Sequence, residues 1–325
     1  MIKQPFFLGK KALPNNVFYA PLAGCSDFPF RQMSSKYHPG LMYCEMVKME
    51  GLLRKNEETL KMLDYNEAMR PIGAQLCGSD LEIVEDAAKV IEQMGFDVLD
   101  FNCGCPVDKV TKDGSGSGML KNPLKIGEML RKMVRAVSIP VTVKIRTGWD
   151  DDSIVAPLVT KIAEEAGAQA ITIHGRTREQ GYEGHANWDI IRECKDVAKN
   201  ILVIGNGDVF DAHAAKAIFE KTRCDAVLVS RGTMGQPWIV KEILEIFQGI
   251  EPKELSISER RAALFEHYQN IRSYQHERRV ITDMRRIGCW YFKKAKGNKE
   301  FRCKMVRVES FEEVEDLILN FPFDA

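Results

Sequence analysis

The sequence predicts an α/β protein: a (β/α)8 TIM barrel over residues 1–250, followed by a small all-helical domain over residues 256–325. Three observations predict it. Eight short, mainly apolar runs recur between residues 17 and 230, as strands covered on both faces do. Stretches of helical periodicity separate them, and eight such units in roughly 250 residues is the size of this barrel. The alternation then stops at "FQGIEPKELSISE" (247–259), beyond which only helical periodicity continues. A doubly wound sheet would carry fewer strands and a GxGxxG turn after the first, where this chain has "APLAGCSD".

The first four predicted strands are "VFYA" (17–20), "LMYCEM" (41–46), "PIGAQL" (71–76) and "FDVLDFN" (96–102). The second four are "IPVTVKI" (139–145), "AQAITIH" (168–174), "NILVIGN" (200–206) and "DAVLVS" (225–230). Between them, "SDLEIVEDAAKVIEQMG" is the clearest helix. Ser79 or Asp80 is its expected cap, and Leu81, Ile83, Val84, Ala87, Ala88, Ile91 and Met94 form its inner face. "SIVAPLVTKIAEEAGA" and "DAHAAKAIFEKT" repeat the plan. In the tail, Gly297 and Asn298 are expected in a turn between helices, and Ser310 is expected to cap the last one.

Composition narrows the class. The chain has 325 residues, 45% hydrophobic and 28% charged, with formal net charge +0. No long apolar span is present, and the first residues lack the apolar core of a secretory signal. Nine scattered cysteines do not form a disulfide framework. A cytoplasmic protein with reduced thiols is expected.

In such barrels chemistry gathers where strands end. Gln75 closes the third strand and Asn102 the fourth, just before Cys103 and Cys105; the fifth carries Lys144 and Arg146. His174 ends the sixth, with Arg176 and Arg178 beyond it. "NGD" (Asn206, Gly207, Asp208) follows the seventh and "SRG" (Ser230, Arg231, Gly232) the eighth. Glycines before helix starts suit a phosphate. Lys144, between Val143 and Ile145, needs a partner or an anionic ligand. One candidate is the N1–C2=O edge of a reduced flavin, with Gln75 suited to the N3–C4=O edge.

"FNCGCP" (101–106) contains a lone C-x-C, which offers neither four zinc ligands nor a C-x-x-C redox pair, so no metal is expected. Cys103 reads as a packed side chain. Cys105, between Gly104 and Pro106, sits on a sharp turn that would present a thiol over a pocket. A free thiol, with pKa ~8.5, is mostly protonated at neutral pH and suits an acid. In the tail, residues 260–307 hold fourteen basic and four acidic residues, with Tyr268, Tyr274, Trp290, Tyr291 and Phe292 interleaved. A basic helical surface with stackable rings suits RNA, and a solvated face over buried rings is the plain alternative.

The chain resembles the tRNA-dihydrouridine synthases, closest to the bacterial B-type branch. "APLAGCSD", "AQLCG", "FNCGCP", "KDGSGSGML", "VTVKIRTGW", "ITIHGRTREQGYEGHANWD", "VIGNGDV" and "VSRGTMGQPW" carry the resemblance, in order across the barrel. In the tail, "RRIGCWY" is similar to the family's run, with Ile287 in the usual histidine place and Leu22 in place of the usual methionine. The resemblance implies a flavoenzyme that uses FMN and NADPH (or NADH) to saturate the C5=C6 bond of specific tRNA uridines. Cys105 would be the proton donor to C5. Pro21, Leu22 and Ala23 would lie along the flavin, and Gln75, Lys144 and His174 at its polar edges. Asn206, Gly207, Asp208, Ser230, Arg231 and Gly232 would surround its phosphate and ribitol. Asn102 and Arg176 would meet the substrate base, Arg178 would also bind the substrate, and Arg285, Arg286, Lys293 and Lys294 would bind the tRNA body. A monomer is favoured. A flavin barrel acting on a free pyrimidine shares the fold but needs no basic tail. An RNA-binding protein without catalysis leaves the polar strand ends unexplained, and a flavin-free phosphate-binding lyase would show no flavin spectrum.

Overall fold

The computed structural model describes residues 1–323, so the last two residues of the expected helical segment lie outside the described residues. The chain begins with an antiparallel hairpin, β1 (Phe6–Leu8) and β2 (Lys11–Leu13), turned at Gly9 with φ +58°. Eight parallel strands then close a barrel in chain order. They are β3 (Val17–Tyr19), β4 (Leu41–Lys48), β5 (Ile72–Cys77), β6 (Val98–Cys103), β7 (Val141–Arg146), β8 (Ala170–His174), β9 (Leu202–Asn206) and β10 (Ala226–Val229). β10 returns to β3 through Val227↔Val17 and Val229↔Tyr19. All eight predicted runs are strands. The hairpin was not predicted, because two three-residue strands broken by lysines are too short to show a period.

Side chains alternate across each strand, which sorts the barrel into two surfaces. Outward residues such as Val17, Leu99, Val143 and Ile171 pack under the helices in the main core. Inward residues change character along the axis. At the N-terminal end Phe18, Leu41, Val98, Ala170 and Ala226 cluster with Phe6, Leu8 and Leu13 of the hairpin, which plugs that end. Lys11 secures the plug by an ion pair to Asp97 at 2.6 Å. Toward the C-terminal end the inward positions become Asp100, Thr142 and Thr172, then Gln75, Asn102, Lys144, His174 and Asn206. The chain therefore places its polar side chains at one end of an otherwise apolar barrel.

The clearest predicted helix spans Val84–Gln93, with Val84, Ala87, Ala88 and Ile91 fully buried and Leu81, Ile83 and Met94 packed at the margin. Neither predicted cap is used. Asp80 accepts from Glu82 N at 2.8 Å and shapes a turn, while Ser79 donates to Asp113 O at 2.7 Å. Local hydrogen bonding of these residues competes with helix extension, so the helix starts later.

Beyond the barrel lie helices Ile257–Tyr274, Glu277–Ile287, Asn298–Met305 and Phe311–Asn320. Ser256 and Glu259 form a capping box at the first, and Ser310 caps the last by accepting from Glu313 N. Gly297, at φ +85°, turns the chain into the third, which Asn298 begins. Leu264, Met284, Phe301 and Ile318 centre a second core, joined by Met33 and Trp238 of the barrel. Tyr268, Tyr291 and Phe292 lie in this core and Tyr274 stacks on Phe28 at 4.6 Å, so these rings are packing residues rather than a stacking surface for bases. Ile287 is also fully buried there: an apolar residue filling an apolar place. Among the described residues no helix is long and apolar enough to cross a membrane.

Candidate active site

A cavity of about 370 Å³ opens at the C-terminal end of the barrel, within the range of small-molecule sites. All the residues expected to hold a cofactor, from Pro21 to Gly232, contribute to its wall, together with Asn102 and Cys105. They meet because period-2 alternation turns Gln75, Asn102, Lys144, His174 and Asn206 inward at the ends of five different strands.

Beneath the cavity runs a chain of hydrogen bonds. Thr142 Oγ1 donates to Asp100 Oδ1 at 2.5 Å and Gln75 Nε2 to Asp100 Oδ2 at 2.6 Å. Gln75 Oε1 then accepts from Asn102 Nδ2 at 2.7 Å, and Asn102 Oδ1 accepts from the N–H groups of Gly104 at 3.1 Å and Cys105 at 2.9 Å. A carboxylate only accepts, so Asp100 dictates which way both amides face. Burial pushes the Asp100 carboxyl up to about 6, against the hydrogen bonds of Gln75 and Thr142 and the nearby Lys144.

The Cys105 turn is pinned from both sides. Its carbonyl accepts from Ser117 N at 3.0 Å and Ser117 Oγ at 2.9 Å. Cys105 lines the cavity. Cys103 is fully buried in the main core, and burial, followed by the neighbouring Cys77 and Asp100, raises its thiol well above the usual range. The two thiols of "CGC" thus face different environments.

Lys144 lines the cavity without a hydrogen-bond or ion-pair partner among the described residues. Burial, and then the Arg146 charge, push it down to about 8. His174 is held well below its usual range by burial and by the cations Lys144, Arg146, Arg176 and Arg231, so its ring is neutral. Arg176 Nη1 lies 3.4 Å from His174 Nε2. An arginine can only donate, so that nitrogen accepts and the ring proton sits on Nδ1.

The loops after β9 and β10 interlock. Asn206 Nδ2 donates to Leu228 O at 2.7 Å and Ser230 Oγ at 2.9 Å. Gly207 has φ +117°, and a Cβ there would come within 3.0 Å of both Ala186 Cβ and the His174 ring. Burial would raise the Asp208 carboxyl, but bonds from Arg176 and Ala186 N and the Arg231 charge hold it below the usual range. The lining cations Lys144, Arg146 and Arg231 face this single, already paired carboxylate.

Two of the arginines expected to bind the substrate lie outside the cavity lining. Arg176 is buried behind the wall. Its guanidinium donates to Glu183 O, Gly184 O, His174 Nε2 and both Asp208 oxygens, leaving no donor for a base. Arg178 also lies outside the lining: it pairs with Asp108 and covers the Trp149 ring at 4.5 Å. In the tail, Arg285 Nε donates to Val308 O, and Arg286 is bound to Gly24 O and Asp283. Lys293 Nζ donates to Met234 O at 3.2 Å and Lys294 pairs with Glu254 at 3.1 Å, both remaining exposed.

Lining residues not assigned from the sequence include Cys25, Met46, Arg146, Tyr182, Phe210 and Met234. Arg146 had a signal, since it lies two residues after Lys144 and so on the same strand face. Arg231 lies over the Tyr182 ring at 4.5 Å and the Phe210 ring at 5.2 Å, giving the mouth a cationic and aromatic rim.

The family described as dihydrouridine synthase (Dus) matches residues 18–322. A probable tRNA-dihydrouridine synthase of Rickettsia bellii is 34% identical over 316 residues, 97% of each chain. The tRNA-dihydrouridine synthase B of Pseudomonas aeruginosa is 34% identical over 303 residues, 93% of this chain and 91% of that one. Among solved structures, histamine dehydrogenase from Rhizobium sp. 4-9 has TM-score 0.58 at 13% identity over 74% of this chain, a likeness of fold alone. This chain spans 47% of that longer protein. With a third of its residues shared along almost the whole length, and a family match running through barrel and tail, the chain belongs to the dihydrouridine synthase family.

Proposed function

We propose that this protein reduces the C5=C6 bond of uridines in tRNA to give 5,6-dihydrouridine, with FMN as bound cofactor and NADPH, or NADH, as reductant. The observation that carries the reading is Lys144, without a hydrogen-bond or ion-pair partner among the described residues, beside the pinned Cys105 turn, in one cavity whose loops after β9 and β10 suit a phosphate. These residues fit a flavin mononucleotide: a cation and an amide for the ring's polar edges, glycine loops for its phosphate, and Pro21, Leu22 and Ala23 for its face. Reduced flavin held there would supply the hydride for uracil C6.

The chain's own groups do the rest. Cys105 Sγ–H delivers the proton to C5, from a turn whose backbone Asn102 and Ser117 hold in place. Lys144 places positive charge where the cavity must hold anionic groups. Neutral His174 offers an Nδ1–H donor. Arg146 Nε is committed to Gly104 O and Nη1 to Thr177 O and Gly181 O, which leaves Nη2 as its remaining donor group. That group suits a uracil carbonyl better than the saturated Arg176.

The target base must leave its stack to enter, at a cost of a few kcal/mol. Lys299, Arg302 and Arg307 are exposed on the tail, alongside Lys293 and Lys294, and suit the phosphates of a folded RNA. We assign residues 1–250 to catalysis and 256–325 to tRNA binding on this basis. The test is purification followed by heat release of the chromophore, with dihydrouridine mapped position by position in tRNA from cells lacking the gene. FMN in the supernatant and a lost dihydrouridine support the reading. A colourless protein that FMN cannot reconstitute overturns it.

A further inference from the structure

We infer that Arg286 is a positioning residue for the first cavity loop, and that the segment 286–293 braces the cavity wall from the tail. The loop Pro21–Cys25 supplies Pro21, Leu22, Ala23 and Cys25 to the cavity. Its centre, Gly24, is gripped from two sides. The Gly24 N–H donates to Glu45 Oε1 on β4, and the Gly24 carbonyl accepts from Arg286 Nη1, which also lies 3.8 Å from Cys25 Sγ. Arg286 is fixed in turn. Its Nη2 donates to Asp283 Oδ1 at 3.1 Å, and the guanidinium lies over the Trp290 ring at 5.4 Å.

Asp283 is almost fully buried, so it fixes this geometry, and its other oxygen accepts from the more exposed Arg279 at 3.0 Å. Gly24 has φ +70°, and a Cβ there would stand 3.0 Å from Arg286 Nη1, so the two surfaces are already in contact. The same segment holds the last cavity loop. Lys293 donates to Met234 O, and Gly235, at φ +79°, leaves no room for a Cβ against the Trp290 backbone. The tail is therefore part of the cavity's construction. A cation read from sequence as an RNA contact is spent inside the protein.

The test has two arms on full-length protein. Hydrogen exchange of residues 22–26 reads the loop directly, because the Cys25 and Ser26 amides bond Leu22 O and the Gly24 amide bonds Glu45. In Arg286→Ala these amides should exchange at least about tenfold faster, while those of β6 and β7 are unchanged. The salt arm measures unmodified tRNA binding, and it alone rests on the tRNA reading above. A brace leaves the slope of log affinity against log salt at the wild-type value, whereas loss of a phosphate contact lowers it by about 0.7–0.9. Unchanged exchange at residues 22–26 in a folded Arg286→Ala protein overturns the inference, as does a slope reduced by one contact. Failure of wild-type tRNA to bind would instead strike the proposed function and leave the exchange result standing.

Discussion

Replacing Asp100 with asparagine should make the protein more stable and less active. Asp100 is buried at 2% exposure, and burial pushes its carboxyl up to about 6 from 3.8. The folded state thus holds this proton more tightly than the unfolded chain. The group's contribution to stability is fully present below the unfolded value and is lost as pH rises through about 6. The shift, 6 − 3.8, corresponds to about 3 kcal/mol of ionisation cost at pH 7.5, falling to about 1 kcal/mol at pH 4.5. Asparagine has the shape of the neutral acid. Its oxygen can accept from Gln75 Nε2, and its N–H2 can face the Thr142 hydroxyl, which accepts as readily as it donates. Asp100→Asn should therefore gain up to about 3 kcal/mol at pH 7.5 and about 1 kcal/mol at pH 4.5. Function moves the other way. An amide no longer dictates the orientation of Gln75, and Lys144 loses the anion that supports its charge. Urea unfolding of both proteins at the two pH values gives the stability difference from midpoint and slope. A variant less stable at pH 7.5, or a difference independent of pH, would refute the argument that burial dominates at Asp100.

Three further outcomes are expected. Cys105→Ala should keep its flavin and its reduction by NADPH but slow single-turnover oxidation by tRNA by ~10²–10⁴, with serine recovering little. Cys103→Ala should keep the rate and lose stability alone, and the reverse pattern would place the donor on the wrong thiol. Lys144 carries its charge below about 8, so affinity for FMN should fall as pH rises through that value. Lys144→Met should bind more weakly and lose this dependence, which titration of apoprotein with FMN at several pH values would show. Reversing Lys299, Arg302 and Arg307 to glutamate should weaken tRNA binding and flatten its salt dependence by about 0.7–0.9 per lost contact, while NADPH oxidation stays near wild type. An unchanged slope would leave that face as solvated surface only.

The strands were legible because each barrel strand is an apolar run set off by turns, a pattern contained within a few residues. Lys144 and Cys105 were legible for the same local reason: a charge inside a strand, and a thiol between glycine and proline. Arg176 was not. Its partners are carbonyls at residues 183 and 184 and the Asp208 carboxylate, which only the fold brings to it. A strand-end arginine looks the same in sequence whether it faces a ligand or is saturated from behind. Arg286 offered a clue in Asp283, three residues earlier on the same helix face, but its bond to Gly24 spans 262 positions. The rings of the tail left two readings open for the same reason, since aromatic residues interleaved with cations look alike in a stacking surface and in a core.

The hairpin plug has a kinetic consequence. With Phe6, Leu8 and Leu13 filling the N-terminal end of the barrel, the cavity opens at the opposite end, at a rim carrying Tyr182, Phe210 and Arg231. On the proposed function, a nicotinamide that reduces the cofactor and a nucleotide that consumes the electrons would both use that opening, one leaving before the other enters. The two substrates would then alternate rather than assemble. Steady-state rates measured against both should give parallel double-reciprocal lines, with excess NADPH competing against tRNA for the reduced enzyme.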